Sequence, residues 1–334
     1  MSKIIKIAVD AMSGDNSPKK VIDGICHHFK KNSNTFYQIF GDKDKILPLI
    51  KDNLSNSTFD IIHTLDTVKG TDSPLEGAKR GKNTSMWLAV QSVKEKKSDV
   101  VISAGNTGAL LVISKLNLKM IENIDKPALS ALWPNQIGMS VVLDLGANIE
   151  CSPKNLIDFS IMGSSLFKSL YPNDSAKVAL LNIGSEELKG NEIIKDTYQQ
   201  LSQRDNNDFE FKGYIEGNQL MNGDVNVIVA DGFTGNVALK TAEGTANFII
   251  SELKKAMTGS FIGKISSLLN ISNLKKFKAR LDPRLYNGAI FIGLDSPVIK
   301  SHGGTDYIGF SNSLSVCTRV VSGNLIDKIR NNIN

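Results

Sequence analysis

Val225-Asn-Val-Ile-Val-Ala-Asp-Gly-Phe-Thr-Gly-Asn236 joins three kinds of sequence in one short run. An apolar, β-branched stretch suits a buried strand, a polar turn with two glycines follows, and Asn236 opens a helical pattern that runs to Met257. The same order recurs along the chain. Strand patterns at Val100–Ser103, Ser140–Leu143, Lys177–Ile183 and Val298–Lys300 lead into Ser103-Ala-Gly-Asn-Thr-Gly108, Asp144-Leu-Gly-Ala-Asn148, Asn182-Ile-Gly184 and Ser301-His-Gly-Gly-Thr305. Further strand patterns lie at Ile4–Val9, Phe36–Phe40, Phe59–His63, Phe209–Gly213 and Ala289–Ile292. Helical patterns cover Pro18–Lys31, Asp44–Lys51, Thr84–Lys97, Thr107–Leu118, Pro153–Leu170, Gly190–Gln203, Asn236–Met257 and Thr305–Arg330. Strands alternating with helices predict an α/β fold: a three-layer α/β/α, Rossmann-like unit around a mainly parallel sheet. No repeat, low-complexity tract or Pro-rich linker divides the chain. It reads as a single α/β domain over 1–334, with 253–282 as a basic amphipathic helical insertion.

The five turns share one chemistry. Each is small, polar and glycine-containing, and each sits between a strand and a helix. Glycine lets backbone N–H groups approach an anion, and a helix start adds a positive dipole end. Any one of them is an ordinary turn. Five converging on one rim at the carboxyl ends of strands predict a cleft for an anionic ligand.

Composition narrows the class. With 334 residues the chain buries roughly three-quarters of its unfolded surface, so it needs neither disulfides nor a metal staple. Hydrophobic residues at 41% and charged residues at 22% exclude a disordered or collagen-like chain. Cys26, Cys151 and Cys317 are scattered and form no CxxC pair, which reads as reduced, buried thiols. The opening MSKIIKIAVD is no signal peptide, because Asp10 interrupts its apolar run. The long uncharged stretches Val100–Ser114 and Pro127–Leu143 contain Asn, Gly or Pro and do not resemble spanning helices, so a soluble or peripheral protein is expected. A net charge of +5 is too mild to argue for nucleic acid. No G-x-G-x-x-G, P-loop, G-x-S-x-G elbow or H-E-x-x-H occurs, so neither a cofactor nor a metal is called for. His27 and His28 read as surface residues of a helix. His302, directly after a strand, either lines the cleft or fills a structural hydrogen-bond role.

The phrases IAVDAMSGD, SDVVISAGNTGALL, VLDLGAN, LLNIGSEELKGNE, VADGFTGNVALKTAEG and VIKSHGGTD follow one another from Ile7 to about Asp306. In this order they resemble the PlsX-type phosphate acyltransferases of bacterial phospholipid synthesis. The resemblance implies a fold similar to phosphotransacetylases and to isocitrate/isopropylmalate dehydrogenases. It also implies transfer of a long acyl chain from acyl carrier protein to inorganic phosphate, giving acyl phosphate for the next acyltransferase. It further implies a homodimer in the cytoplasm, loosely associated with the inner face of the cell membrane, and as a further partner the downstream glycerol-3-phosphate acyltransferase. Two departures stand out: Thr67–Pro74 lacks an acidic residue expected before Asp-Ser-Pro, and Ser13 stands where the family usually has Gly.

In such a reaction phosphate attacks a thioester carbonyl, a tetrahedral oxyanion forms and a thiolate leaves. Phosphate is its own nucleophile, so the protein has to position the reactants and stabilise developing negative charge. Lys189, flanked by Gly190 and Asn191, is the first catalytic candidate, as a point charge on phosphate or oxyanion. Asn236 is the second: its amide can donate to the carbonyl oxygen, although an N-cap role would also suit it. Asn106, Thr107, Asn148, Asp231, Gly232, Gly235, His302 and Gly303 complete the expected substrate-binding rim, with Asp10 and Asp231 orienting neighbours. Lys79, Arg80 and Lys82 offer a basic patch for acidic acyl carrier protein. A coenzyme-A-dependent phosphotransacetylase and a non-catalytic membrane-surface scaffold are the competing readings.

From Leu253 to Leu281 there is no acidic residue but seven basic ones: Lys254, Lys255, Lys264, Lys275, Lys276, Lys278 and Arg280. Phe261, Ile262, Ile265, Leu268 and Leu269 recur at roughly helical spacing within it. Such a segment either buries its apolar side against a dimer partner or lies on an anionic membrane with its lysines at headgroup level.

Overall fold

In the computed structural model, which describes residues 3–50, 53–204, 208–261, 266 and 268–333 (of Lys278 only the backbone), eleven strands form one sheet. They are β1 (Ile5–Asp10), β2 (Thr35–Gly41), β3 (Phe59–His63), β4 (Val100–Ser103), β5 (Ala128–Pro134), β6 (Met139–Leu143), β7 (Lys177–Asn182), β8 (Glu210–Glu216), β9 (Val227–Val229), β10 (Ala289–Ile292) and β11 (Val298–Lys300). Their spatial order is β3-β2-β1-β4-β11-β10-β5-β6-β9-β7-β8.

Side-chain alternation explains why helices cover both faces. Ile7, Val9, Val100, Ile102, Val141, Leu143, Val178 and Leu180 point into one large core. It is shared with α1 (Lys19–Phe29), α6 (Pro153–Leu170), α10 (Tyr307–Ser322) and α11 (Leu325–Ile333). The intervening residues face the other way. Ala8 and Val101 meet Met86, Trp87, Leu110 and Ile113 of α4 (Ser85–Lys94) and α5 (Thr107–Asn117). Val142, Ala179 and Ile228 meet Trp133, Leu220 and the start of α8 (Gly232–Thr258). A strand apolar on both faces must be covered on both, which gives the expected three-layer α/β/α arrangement. The remaining helices are α2 (Lys43–Ile50), α3 (Pro74–Lys79), α7 (Glu192–Gln203) and α9 (Ile271–Arg280).

The sheet is mainly parallel, as expected, but its strands do not all run one way. β3, β2, β1, β4 and β11 are mutually parallel, as are β6, β9, β7 and β8. Three antiparallel pairings, β11 with β10, β10 with β5 and β5 with β6, join the two sets, so the halves run in opposite directions. The source is the hairpin β5–β6 inside the uncharged stretch 127–143. Its turn is built by Asn135, whose Oδ1 accepts from the Ile137 N–H at 2.9 Å and from the Gly138 N–H at 2.5 Å.

Other differences are local. The helical pattern over 305–330 is two helices, because Gly323 packs so close to the Ser169 carbonyl that a Cβ would lie 2.3 Å from it, and Asn324 turns with φ 51°. α3 follows a capping box: the Ser73 hydroxyl accepts from the Glu76 N–H and the Glu76 carboxylate accepts from the Ser73 N–H. His28 is not a surface residue; it is fully buried, with Nδ1 2.7 Å from the Tyr37 hydroxyl, because α1 packs both on the sheet and on α10. His27 is half-buried against Ser311.

α8 is 27 residues long and passes Leu253 without a break; only Gly232 and Gly235 in it are buried. It leaves the sheet carrying exposed Phe248, Ile249 and Ile250. Beyond it Phe261, Leu268 and Leu269 are also exposed, while Ile262, Ile265 and Lys264 lie outside the described residues. Arg280 ties the end of α9 to the β5–β6 turn by donating to the Gln136 carbonyl at 3.0 Å. Among the described residues no helix is long and apolar enough to cross a membrane.

Candidate active site

The opposed halves divide the five polar turns into two groups. Those after β4 and β11 leave at one end, and those after β6, β7 and β9 leave strands that run the other way. No hydrogen bond among the described residues joins the groups, which leave the sheet in opposite directions from strand ends at one level, Leu143 lying in line with Ile102 across the register. Ala147 does pack against the core cluster that contains α5.

The first group stands on β6, β9 and β7, which lie side by side with Leu143 opposite Val229 and Val229 opposite Leu180. That register puts Asp144, Asp231 and Asn182 near one level. Asp144 is buried and organises its own loop. Its Oδ1 accepts from the N–H groups of Leu129 (2.9 Å), Ala147 (3.0 Å) and Gly146 (3.2 Å). Its Oδ2 accepts from the Asn148 N–H (2.7 Å) and amide (2.8 Å). Burial pushes the Asp144 carboxyl above the usual range, and these hydrogen bonds oppose it. The Asn148 amide also donates to the Pro127 carbonyl at 2.7 Å, so it serves the loop.

The start of α8 is pressed onto this loop. The Gly232 N–H donates to the Asn148 carbonyl at 2.8 Å, and a Cβ on Gly235 would fall 1.9 Å from the Asp144 carbonyl oxygen. Only glycine permits that approach. Asp231 caps the helix, accepting from the Thr234 N–H and hydroxyl at 2.8 Å each. The capping role open to Asn236 is therefore taken. Asn236 lies one turn in, with its amide donating to the Leu145 carbonyl at 3.1 Å and lodged against Gly146.

Beside them, the Asn182 amide donates to the Lys189 carbonyl at 3.1 Å, Gly190 turns with φ 97°, and Asn191 caps α7 by accepting from the Ile194 N–H. The backbone of Lys189 is thereby fixed while its side chain stands exposed, with no ion pair among the described residues. An ammonium on a fixed loop and an amide on a fixed helix can both donate to an oxyanion.

The second group stands on β1, β4 and β11. Asp10 lies opposite Ser103, and Ser103 opposite Lys300. Asp10 is buried and accepts from the hydroxyls of Ser85 and Ser103 at 2.7 Å each, which is the orienting role expected of it. Asn106 caps α5 by accepting from the Ala109 N–H at 3.0 Å, and its amide donates to the Gly70 and Asp72 carbonyls. Its side chain is thus consumed in holding the 67–82 segment, while Thr107 beside it is exposed. His302 is exposed; its N–H donates to Asn287, and its Nδ1 accepts from the Gly304 N–H at 3.2 Å. The Gly303 carbonyl accepts from the Asp15 N–H and the Lys20 ammonium. Positive φ falls on Gly14 (89°) and not on Ser13, so serine is accommodated there without backbone strain. Of the basic patch, Arg80 is clamped onto Asp72, whereas Lys79 and Lys82 are exposed with no ion pair among the described residues.

Sequence reading missed Asp144 as the loop's anchor and the two buried lysines, Lys20 and Lys300. An acidic residue directly after a strand was a signal for the first. Nothing local marks the lysines, because their burial comes from elements far apart in the chain.

The fold is shared with solved phosphotransacetylases. The phosphotransacetylase EutD of Staphylococcus aureus superposes with a TM-score of 0.62 at 15% identity, covering 95% of this chain and 94% of that one. A phosphotransacetylase of Streptococcus pyogenes gives 0.61 at 14% identity, covering 97% and 94%. At such identities the likeness speaks for the fold. A family model described as "Fatty acid synthesis protein" matches residues 5–328. Curated relatives named phosphate acyltransferase align end to end: one from Pelagibacter ubique is 88% identical, covering 100% of both chains. One from Rhodospirillum rubrum is 43% identical, covering 100% of this chain and 95% of its own. The chain belongs to this PlsX-type family of acyltransferases.

Proposed function

We propose that the protein transfers a long-chain acyl group from acyl carrier protein to inorganic phosphate, giving acyl phosphate for phospholipid synthesis. The observation that carries this is the end-to-end relationship to phosphate acyltransferases. A phosphate oxygen attacks the thioester carbonyl carbon, a tetrahedral oxyanion forms, the carbon–sulfur bond breaks, and the thiolate leaves to take up a proton. The Lys189 ammonium offsets the charge gathering on the oxyanion, and the Asn236 amide, turned from its Leu145 carbonyl, donates to the same oxygen. Gly232 and Gly235 let α8 sit close enough to the Asp144 loop to hold that amide in place. Asp231 and Asn191 act through the helices they cap.

Lys79 and Lys82, with Lys254, Lys255, Lys275 and Lys276, supply basic surface for the acidic carrier protein. The exposed apolar residues Phe261, Leu268 and Leu269 beside those lysines suit an anionic membrane surface, where a lipophilic acyl phosphate would pass to the downstream glycerol-3-phosphate acyltransferase. Exposed Phe248, Ile249 and Ile250 on α8 suit a second copy, in keeping with a homodimer. The protein then works in the cytoplasm against the inner face of the cell membrane.

The likeness to phosphotransacetylases favours one competing reading, with a coenzyme A thioester as donor. Acyl phosphate formation from phosphate is to be measured with palmitoyl-acyl carrier protein and with palmitoyl-coenzyme A. Turnover with the carrier-protein donor alone is expected. Turnover with the coenzyme A donor alone overturns the donor, and none with either overturns the reaction in favour of a scaffold.

A further inference from the structure

The buried row at the ends of β1, β4 and β11 carries more positive charge than its own carboxylate balances. Lys300 ends β11 in register with Ser103 and Asp10, and Lys20 reaches the same place from the first turn of α1. The two lysines are only 9% and 5% exposed. An ammonium carries three donors. The hydrogen bond shown for each goes to a carbonyl, Lys20 to Gly303 at 2.5 Å and Lys300 to Ser301. Neither makes an ion pair among the described residues, and both oxygens of Asp10 are already taken by serine hydroxyls. Asp15, the other carboxylate nearby, is exposed. Burial, and then repulsion from Lys20, lowers the Lys300 ammonium to about 8 against a pull from Asp10. Burial likewise lowers Lys20 against Asp15. Two buried ammoniums thus stand beside one buried carboxylate, which leaves positive charge to spare.

Two further observations point to what completes the site. Ser13 is 3% exposed and its hydroxyl has no hydrogen-bond partner among the described residues. It sits against Gly105, where a Cβ would fall 2.9 Å from its Oγ. The space a side chain on Gly14 would fill is bounded by Ala104 and, at 3.0 Å, by the Lys20 ammonium. A buried hydroxyl without a partner is costly unless something fills it. Spare N–H donors on two cations, a free hydroxyl and a backbone stripped of side chains at three glycines (Gly14, Gly105 and Gly303) match a tetrahedral oxyanion.

We propose that Lys20, Lys300 and Ser13 form a binding site for a phosphate group, either inorganic phosphate itself or the phosphoryl head of a long-chain acyl phosphate. It rests on the acyltransferase reading only for which phosphate compound arrives. The test is isothermal titration calorimetry on the full chain with inorganic phosphate and, separately, with dodecyl phosphate. Wild type, Lys20→Met and Ser13→Ala are compared, and thermal melts check folding. Wild type is expected to bind at least one of the two, and which one it prefers names the source. Lys20→Met should weaken that binding about 10- to 100-fold, the size of a hydrogen bond to a charged group, and Ser13→Ala several-fold. Because Lys20→Met removes a buried charge, its melt without phosphate should be no lower than wild type. Wild type binding neither compound overturns the site. So does a folded Lys20→Met or, should that variant not fold, a Ser13→Ala that binds as wild type does. Wild type that binds neither compound yet forms acyl phosphate sinks the site and leaves the reaction standing. Phosphate binding that is lost in Lys20→Met, in a chain that makes no acyl phosphate, keeps the site and sinks the reaction.

Discussion

At the ends of β1, β4 and β11 two ammoniums are shut away from water beside a single carboxylate whose oxygens are already engaged. At the ends of β6, β9 and β7, by contrast, Lys189 holds its charge in solvent on a loop whose backbone alone is fixed. A buried charge lowers stability until a partner arrives, so its removal registers in the melt as well as in binding. An exposed charge contributes almost nothing to the fold, so its removal registers in rate alone. The same residue type thus leaves different experimental signatures at the two ends.

The largest expected effect tests the exposed end. Lys189→Ala should lower acyl phosphate formation about 10²–10³-fold with an unchanged melting temperature. Near-normal turnover in that variant would remove Lys189 from the mechanism. Gly235→Ala should separate α8 from the Asp144 loop, since its Cβ would need space now held by the Asp144 carbonyl. A loss of about 3 kcal/mol in urea unfolding is expected. A wild-type midpoint would show that the two segments are not braced against each other.

The buried end should respond to pH. The charged groups that act on Lys300 are Lys20 and Asp10. Its folded value of about 8 is below the ordinary 10.5. Below pH 8 the folded and unfolded chains both hold the proton, and the folded state bears the full cost of a buried charge. Between pH 8 and 10.5 the unfolded chain binds more protons, so this group's contribution rises with pH. The stability gap between Lys300→Met and wild type should therefore narrow across that window, by on the order of 2 kcal/mol. A gap independent of pH would mean that Lys300 is not buried as a cation.

Asn236→Asp nearly preserves shape but puts negative charge where an oxyanion would gather, so it should be about tenfold slower than Asn236→Ser. Equal rates for the two variants would reduce Asn236 to a brace for the Leu145 carbonyl. The smallest effect belongs to the segment beyond α8. Leu269→Glu, at a position 85% exposed, should release the protein from anionic vesicles in co-sedimentation while sparing turnover with carrier-protein donor. Dissociation to inactive monomers, with no vesicle binding by wild type, would make this segment a dimer element.

Much of this molecule could be read one segment at a time. A run such as Val225–Ala230 declares a buried strand because it is apolar on both faces, and the turn after it declares a helix start, read at Asn236 although Asp231 is the cap and α8 begins at Gly232. Local chemistry of that kind placed β3, β4, β10 and β11, the helix over Pro153–Leu170, and the polar turns that hold Lys189 and Asn236. It also carried the family resemblance, since motif order is a property of the chain alone. Strand direction was decided elsewhere. Asn135 turns a stretch with no charge to mark it into the β5–β6 hairpin, and reversing half of the sheet divides five similar turns into two groups. Burial was likewise decided elsewhere. Lys20 and Lys300 look like any other lysines until α1, β11 and the 301–304 turn close over them, and His28 looks exposed until α10 covers α1. The physical reason is the same in each case: conformational preference is set by a residue and its neighbours, whereas desolvation is set by whatever the rest of the chain brings into contact.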